Sequence, residues 1–127
     1  MPVIPKDKPL YSIGTVAEIF GITPRCLRLY EDKDLIRPAR VAANRRLYSQ
    51  NDLDKLEYIH YLIKIRGVTL RGVKVILEIL EGLPQAEQAA VYARARDEMA
   101  SLNKGSTELA REASQEAIQQ ILEDSRE

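Results

Sequence analysis

Four consecutive residues, Gly21-Ile22-Thr23-Pro24, constrain this chain more than any other feature of it. Glycine takes the left-handed backbone conformation that closes a helix, and threonine followed by proline opens a new one. Proline at the first helical position has no amide proton to leave unpaired. One helix must therefore stop and another start across a three-residue turn. Upstream, Ser12 precedes Ile13, Val16, Ala17 and Phe20, which recur on one face of a helix about two turns long. Downstream, the spacing predicts a second helix from Pro24 to about Lys33. Two short helices joined by a glycine-containing turn make a helix-turn-helix.

The second helix has two chemically distinct sides. Arg25 and Arg28, three apart, share a face, while Leu27 and Tyr30 point the other way. The apolar side suits a core. The guanidinium side suits phosphate oxygens and guanine edges, and a DNA major groove admits a helix of this width. Arg25, Arg28, Lys33, Arg37, Arg40, Arg45 and Arg46 all fall within 22 residues. Overall charge hides this clustering, because 19 basic and 19 acidic side chains cancel. Residues 1–80 hold 14 Lys/Arg against 9 Asp/Glu, and residues 81–127 hold 5 against 10, a split of +5 and −5. Such a split fits a polyanion-facing part joined to a solvated or self-associating part. It excludes a uniformly basic histone-like chain and a strongly acidic disordered one.

The remaining elements follow from caps and periodicity. Residues 1–9 carry Pro2, Pro5 and Pro9 and read as an extended, flexible N-terminal arm. Leu35–Arg37 and Arg46–Tyr48 are expected to pair as a small hairpin, or wing. Ser49, with Asp52 in a capping-box position, opens a third helix whose stripe is Leu53, Leu56, Ile59, His60 and Ile63, ending at Gly67. Thr69 caps a fourth, with Leu70, Val73, Ile76, Leu77 and Leu80 at helical spacing and Gly82 and Pro84 as its stop. A DNA-binding domain over residues 10–82 results, followed by a C-terminal helical segment over 83–127. In that segment residues 85–103 suit a helix whose stripe is only Ala86, Ala89 or Ala90, Ala93, Arg96, Met99 and Leu102. Gly105-Ser106 reads as a break, with Leu109, Ala113, Ala117 and Ile121 lining a further helix. A stripe this thin does not hold a lone helix together in water, so it needs the domain body or a partner chain. Ala86, Ala89, Ala93, Met99, Leu102 and Leu109 are the candidate dimerisation residues.

Other functions find little support. One histidine and one cysteine leave no metal cluster to assemble, and there is no glycine-rich phosphate loop or nucleophile elbow. An enzyme is not expected, and nothing calls for a cofactor. His60 lies on an apolar helix face and reads as a packing residue. Cys26 reads the same way, although its place near a helix N-terminus between arginines would favour a thiolate. Apolar runs are too short to span a membrane, and the first nine residues lack the apolar region of a signal peptide. The expected compartment is the cytoplasm.

In order along the chain, Leu10-Tyr11-Ser12-Ile13-Gly14, Ala17, Gly21-Ile22-Thr23 and Leu27-Arg28-Leu29-Tyr30-Glu31 resemble the N-terminal domain of MerR-family transcription regulators. Leu35-Ile36-Arg37-Pro38, Arg45-Arg46-Leu47-Tyr48-Ser49, Asp52-Leu53, Gly67-Val68-Thr69-Leu70 and Gly72-Val73 continue the resemblance to about residue 80. It implies a mainly α fold: a winged helix-turn-helix, a helix pair and a C-terminal helix that dimerises as an antiparallel coiled coil. Carried over by position, Arg25 and Arg28 fall on the recognition helix and Arg46 on the wing. The implied DNA-facing set is Thr23, Arg25, Arg28, Tyr30, Arg37, Arg45, Arg46 and Tyr48, with the two tyrosines mainly anchors whose hydroxyls are within range of a phosphate. Three positions depart from the family pattern: Leu29 replaces a common aromatic residue, Cys26 a common threonine and Asp34 a frequent glycine.

The chain looks most similar to the short HspR- and GlnR-like subgroup. The resemblance thus implies a homodimer on an inverted-repeat promoter site, without a separate ligand-binding domain. Double-stranded DNA is the implied partner, with RNA polymerase or a protein co-regulator as further ones. An architectural, excisionase-like DNA-bending protein is the alternative, and residues 85–127 argue against it.

Overall fold

The computed structural model describes residues 3–102. Leu109, the Gly105-Ser106 break and the helix expected beyond it lie outside the described residues. Local signals place the first two helices. In α1 (Ile13–Phe20) the Ser12 hydroxyl caps by accepting from the Thr15 N–H. Gly21 ends it at φ 63°, ψ 33°, and the Ile22 N–H donates back to the Ala17 carbonyl at 3.0 Å. Thr23 then caps α2 (Pro24–Asp32), its hydroxyl accepting from the Cys26 N–H at 3.1 Å. Val16 and Ala17 of α1 and Leu27 and Tyr30 of α2 are buried, so the pair is locked through its apolar faces.

A three-stranded antiparallel sheet comes next, built from β1 (Tyr11–Ser12), β2 (Ala39–Val41) and β3 (Arg45–Tyr48) in the order β1-β3-β2. The wing is present, but its first strand differs from the expected Leu35–Arg37. Ala39, Arg40 and Val41 face Leu47, Arg46 and Arg45. Adjacent residues of a strand point to opposite sides, and a wing strand has one wet side. Leu35 and Ile36 are instead both buried, at 0% and 1% exposure, so they plug the core. Pro38 moreover has no N–H to donate to a ladder. The wing turns at Ala42–Asn44, where Ala43 (φ 60°, ψ 26°) and Asn44 (φ 59°) are both left-handed.

The chain ahead of β1 is also different from a free arm. The Lys6 carbonyl accepts from the Asn51 N–H at 2.9 Å, and the Lys6 ammonium pairs with Asp54 at 2.8 Å. Leu10 donates to the Tyr48 carbonyl at 3.0 Å, extending the β1–β3 ladder by one residue. Extended backbone is what the prolines favour, but here its polar groups are tied to the start of the third helix and to the sheet.

That helix, α3 (Gln50–Lys64), has the full capping box: the Ser49 hydroxyl accepts from the Asp52 N–H, and the Asp52 carboxylate accepts from the Ser49 N–H. Leu53, Leu56 and Ile59 are buried as expected, and His60 and Ile63 are half-buried. Tyr58, Tyr61 and Leu62 are buried as well, which makes the apolar face broader than its aliphatic stripe. Thr69 caps α4 (Leu70–Glu81), which buries Val73, Leu77 and Leu80. A fifth helix, α5, runs over residues 85–102. The compact unit extends past the expected boundary at residue 82 as far as Ala93. Its physical basis is aromatic: the Tyr92 ring lies 5.0 Å from that of Tyr58, which stacks in turn on Tyr61 at 5.9 Å. Ala86, Ala89 and Ala93 are exposed. A second unit begins at Arg94; within its described residues, 94–102, the backbone is helical, Met99 is half-buried and Leu102 is exposed.

Ala43 holds a conformation that costs an L-residue with a Cβ roughly 1–2 kcal/mol. Glycine would remove that cost but lose more freedom on folding. Ala43→Gly is therefore expected to stabilise the domain by about 0.5–1 kcal/mol, read as a higher urea midpoint at unchanged slope. A lower midpoint would mean that the Ala43 methyl group contributes packing.

Candidate nucleic-acid interface

Because Leu27 and Tyr30 face the core, the opposite side of α2 is left to solvent: Arg25, Arg28 and Leu29 are exposed. Among the described residues, none forms an ion pair or hydrogen bond with the Arg25 or Arg28 side chain. Thr23 is exposed too, with its hydroxyl engaged in the cap. Tyr30 is an anchor. Burial pushes its phenol pKa up, helped by a hydrogen bond with Cys26 one turn back, so it stays neutral.

At the end of α2, Glu31 joins the recognition helix to the wing. One carboxylate oxygen accepts from Arg40 Nη2 at 2.8 Å and the other from Arg46 Nε at 2.5 Å. Arg40 and Arg46 are cross-strand partners in the β2–β3 ladder, so their side chains share one face of the sheet. Arg40 Nη1 also donates to the Asn44 carbonyl at 3.1 Å, closing the wing turn. Burial alone would raise the Glu31 carboxyl. The hydrogen bonds from Arg46 and Arg40, with their positive charges, outweigh it and hold the group below its ordinary value.

These contacts sort the expected site residues. Arg45 is exposed, with no side-chain partner among the described residues. Arg37 is exposed and only loosely paired with Asp34 at 3.6 Å. Arg46 departs from the expectation of a DNA-facing wing residue: its side chain is 23% exposed and its Nε is committed to Glu31. Tyr48 is fully buried, which removes its hydroxyl from the reach of a phosphate and leaves it as a core anchor. Among the described residues the hydroxyl has no hydrogen-bond partner. Glu31 and Arg40 are the residues that sequence reasoning passed over. The available signal was a carboxylate directly after the inward-facing Tyr30, in the midst of a cluster of arginines.

The chain thus carries a helix-turn-helix with an exposed two-arginine face, followed by a small antiparallel wing. The family model described as "MerR HTH family regulatory protein" matches residues 11–79. This chain belongs to the MerR family. It is similar to HspR of Streptomyces coelicolor, with 32% identity over 102 residues, 80% of this chain and 64% of that protein. It is also similar to the HTH-type transcriptional regulator GlnR of Bacillus cereus, with 37% identity over 81 residues, 64% of this chain and 62% of that protein. The chain thus spans slightly less than two thirds of either relative. The N-terminal part of the Bacillus subtilis multidrug transporter activator, MtaN, has a similar structure, with a TM-score of 0.53 and 27% identity over 84% of this chain and 96% of that one. The family match runs across the helix-turn-helix, the wing and the α3–α4 pair. Among its described residues no helix is long and apolar enough to cross a membrane.

Two outcomes follow from this geometry. Glu31 has a lower pKa folded than unfolded, so its contribution to stability is complete above the ordinary value of 4.5 and is lost as pH falls through the folded value. Urea midpoints of the wild-type protein should fall below pH 4.5, and Glu31→Gln should flatten that part of the profile. Tyr48→Phe should leave duplex affinity unchanged and stability equal or up to about 1 kcal/mol higher, because the hydroxyl it removes has no hydrogen-bond partner among the described residues. Reduced duplex affinity in that variant would return the Tyr48 hydroxyl to the interface.

Proposed function

We propose that this MerR-family regulator acts as a homodimer on an inverted-repeat promoter site, with one α2 in the major groove of each half-site and one wing beside it. The observation that carries the reading is the exposed guanidinium pair Arg25 and Arg28, without side-chain partners among the described residues, on the outward side of a capped helix. Arg45 on the wing supplies a further cation for the flanking phosphates. A two-fold protein reads a two-fold site, so the half-site spacing reports how far apart the two heads are held. The exposed alanines of α5, Ala86, Ala89 and Ala93, are small enough to let a second helix approach closely, which supports self-association there. Met99 and Leu102 extend the same proposal along α5, and Leu109 extends it outside the described residues. In this reading the protein works in the cytoplasm on chromosomal DNA.

Selection of bound duplexes from a random pool, followed by sequencing, tests the proposal: an inverted repeat is expected. Affinity for the selected duplex should fall steeply with salt as counterions leave the contacted phosphates. Arg28→Ala should cost about 1–3 kcal/mol and relax base preference at one position of each half-site. Unchanged preference would remove Arg28 as a reader. Ala89→Glu, placing a charge on the exposed side of α5, should shift the sedimentation mass toward one chain and weaken operator binding. A single-chain mass for the wild-type protein would refute the dimer.

A further inference from the structure

Arg40 and Arg46 face each other across β2 and β3, an arrangement that repels when two like charges stand directly opposite. A carboxylate from a different element resolves the conflict, since Glu31 of α2 accepts from both. Both terminal nitrogens of Arg40 already have a protein acceptor, Nη2 on Glu31 and Nη1 on the Asn44 carbonyl. Arg46 is mostly covered, at 23% side-chain exposure. Its sequence neighbour Arg45 is on the other side of the strand by the alternation of a β-ladder, exposed and without a side-chain partner among the described residues.

We propose that Glu31 is a positioning residue that withholds Arg40 and Arg46 from the DNA backbone, braces the wing against the recognition helix, and leaves Arg45 as the hairpin's phosphate-contacting cation. Two adjacent arginines thereby have opposite tasks: Arg45 touches the duplex, and Arg46 fixes where Arg45 sits relative to Arg25 and Arg28. The inference rests on the DNA reading above, to which it adds a division of labour among the wing cations. In chemical terms the Glu31 carboxylate occupies the place that a phosphate would otherwise take on these guanidiniums.

Salt dependence separates a contacting cation from a bracing one, because each lost phosphate contact makes the slope of log affinity against log salt shallower by about 0.9. The probe is a labelled random-sequence duplex, titrated with the full chain by fluorescence anisotropy over a range of salt. Arg45→Ala is expected to make the slope shallower by about 0.9 per bound protomer. Arg46→Gln is expected to keep the wild-type slope while lowering the preference for the selected duplex over the random one by about tenfold, the scale of one charge-assisted hydrogen bond. Glu31→Gln, which releases two guanidiniums, is expected to steepen the slope and raise random-duplex affinity at low salt. An Arg46→Gln slope as shallow as that of Arg45→Ala would overturn the proposal, as would a Glu31→Gln slope no steeper than wild type. Thermal melts identify any variant that fails to fold; if Glu31→Gln does, the comparison of Arg45→Ala with Arg46→Gln decides alone. A wild-type protein without salt-dependent affinity for any duplex would instead sink the DNA reading itself.

Discussion

A single carboxylate shared by two strands ties α2 to the wing. The wing is a three-residue strand paired to a four-residue one, too small to hold a fixed orientation through its own ladder. The recognition helix is only nine residues long. Glu31 fastens each to the other with charge-assisted hydrogen bonds at 2.8 and 2.5 Å, the one from Arg40 exposed and the one from Arg46 partly buried. The guanidiniums left outside this bridge are thereby presented from one rigid frame. Preorganisation of this kind fixes the backbone from which Arg25, Arg28 and Arg45 extend, and leaves only their exposed side chains to be ordered on association.

Beneath that bridge lies a core assembled from elements none of which is stable by itself. The pair α1–α2 buries Val16, Ala17, Leu27 and Tyr30, Leu35 and Ile36 fill the gap behind them, and Tyr48 enters from the sheet. Leu56, Ile59, Val73 and Leu77 of the second helix pair complete it. Tyr58, Tyr61 and Tyr92 form an aromatic row that brings the beginning of α5 into the same unit. Within this unit the start of α5 contributes the Tyr92 ring, and Gln88, Val91 and Tyr92 are its partly covered positions.

What was legible in the sequence was mostly what is local. Ser12, Gly21, Thr23 with Pro24, Ser49 with Asp52, and Thr69 each act on a backbone group within five residues, so the chain carries the cap and its target together. The apolar faces of α2 and α4 were equally plain, because Leu27 and Tyr30 in the one and Val73, Leu77 and Leu80 in the other recur at helical spacing. Partners brought together by the fold were harder to see. Arg46 meets Glu31 from 15 residues away, and no pattern in the sequence says which arginine of Arg45-Arg46 turns inward until the register of β3 is known. The wing strand was misplaced because Leu35-Ile36-Arg37 has strand-like composition, while the core's demand for both Leu35 and Ile36 is a tertiary fact. The N-terminal residues looked free because backbone carbonyls, here that of Lys6, leave no trace in side-chain patterns.

The strand order β1-β3-β2 bears on colloidal behaviour as well. Only the middle strand is paired along both sides, and the two open edges belong to strands of two and three residues. Edges so short offer little template for another chain to pair with, and on β2 the edge carries the charged Arg40. Short, charged edges of this kind keep the small sheet from seeding intermolecular β-structure.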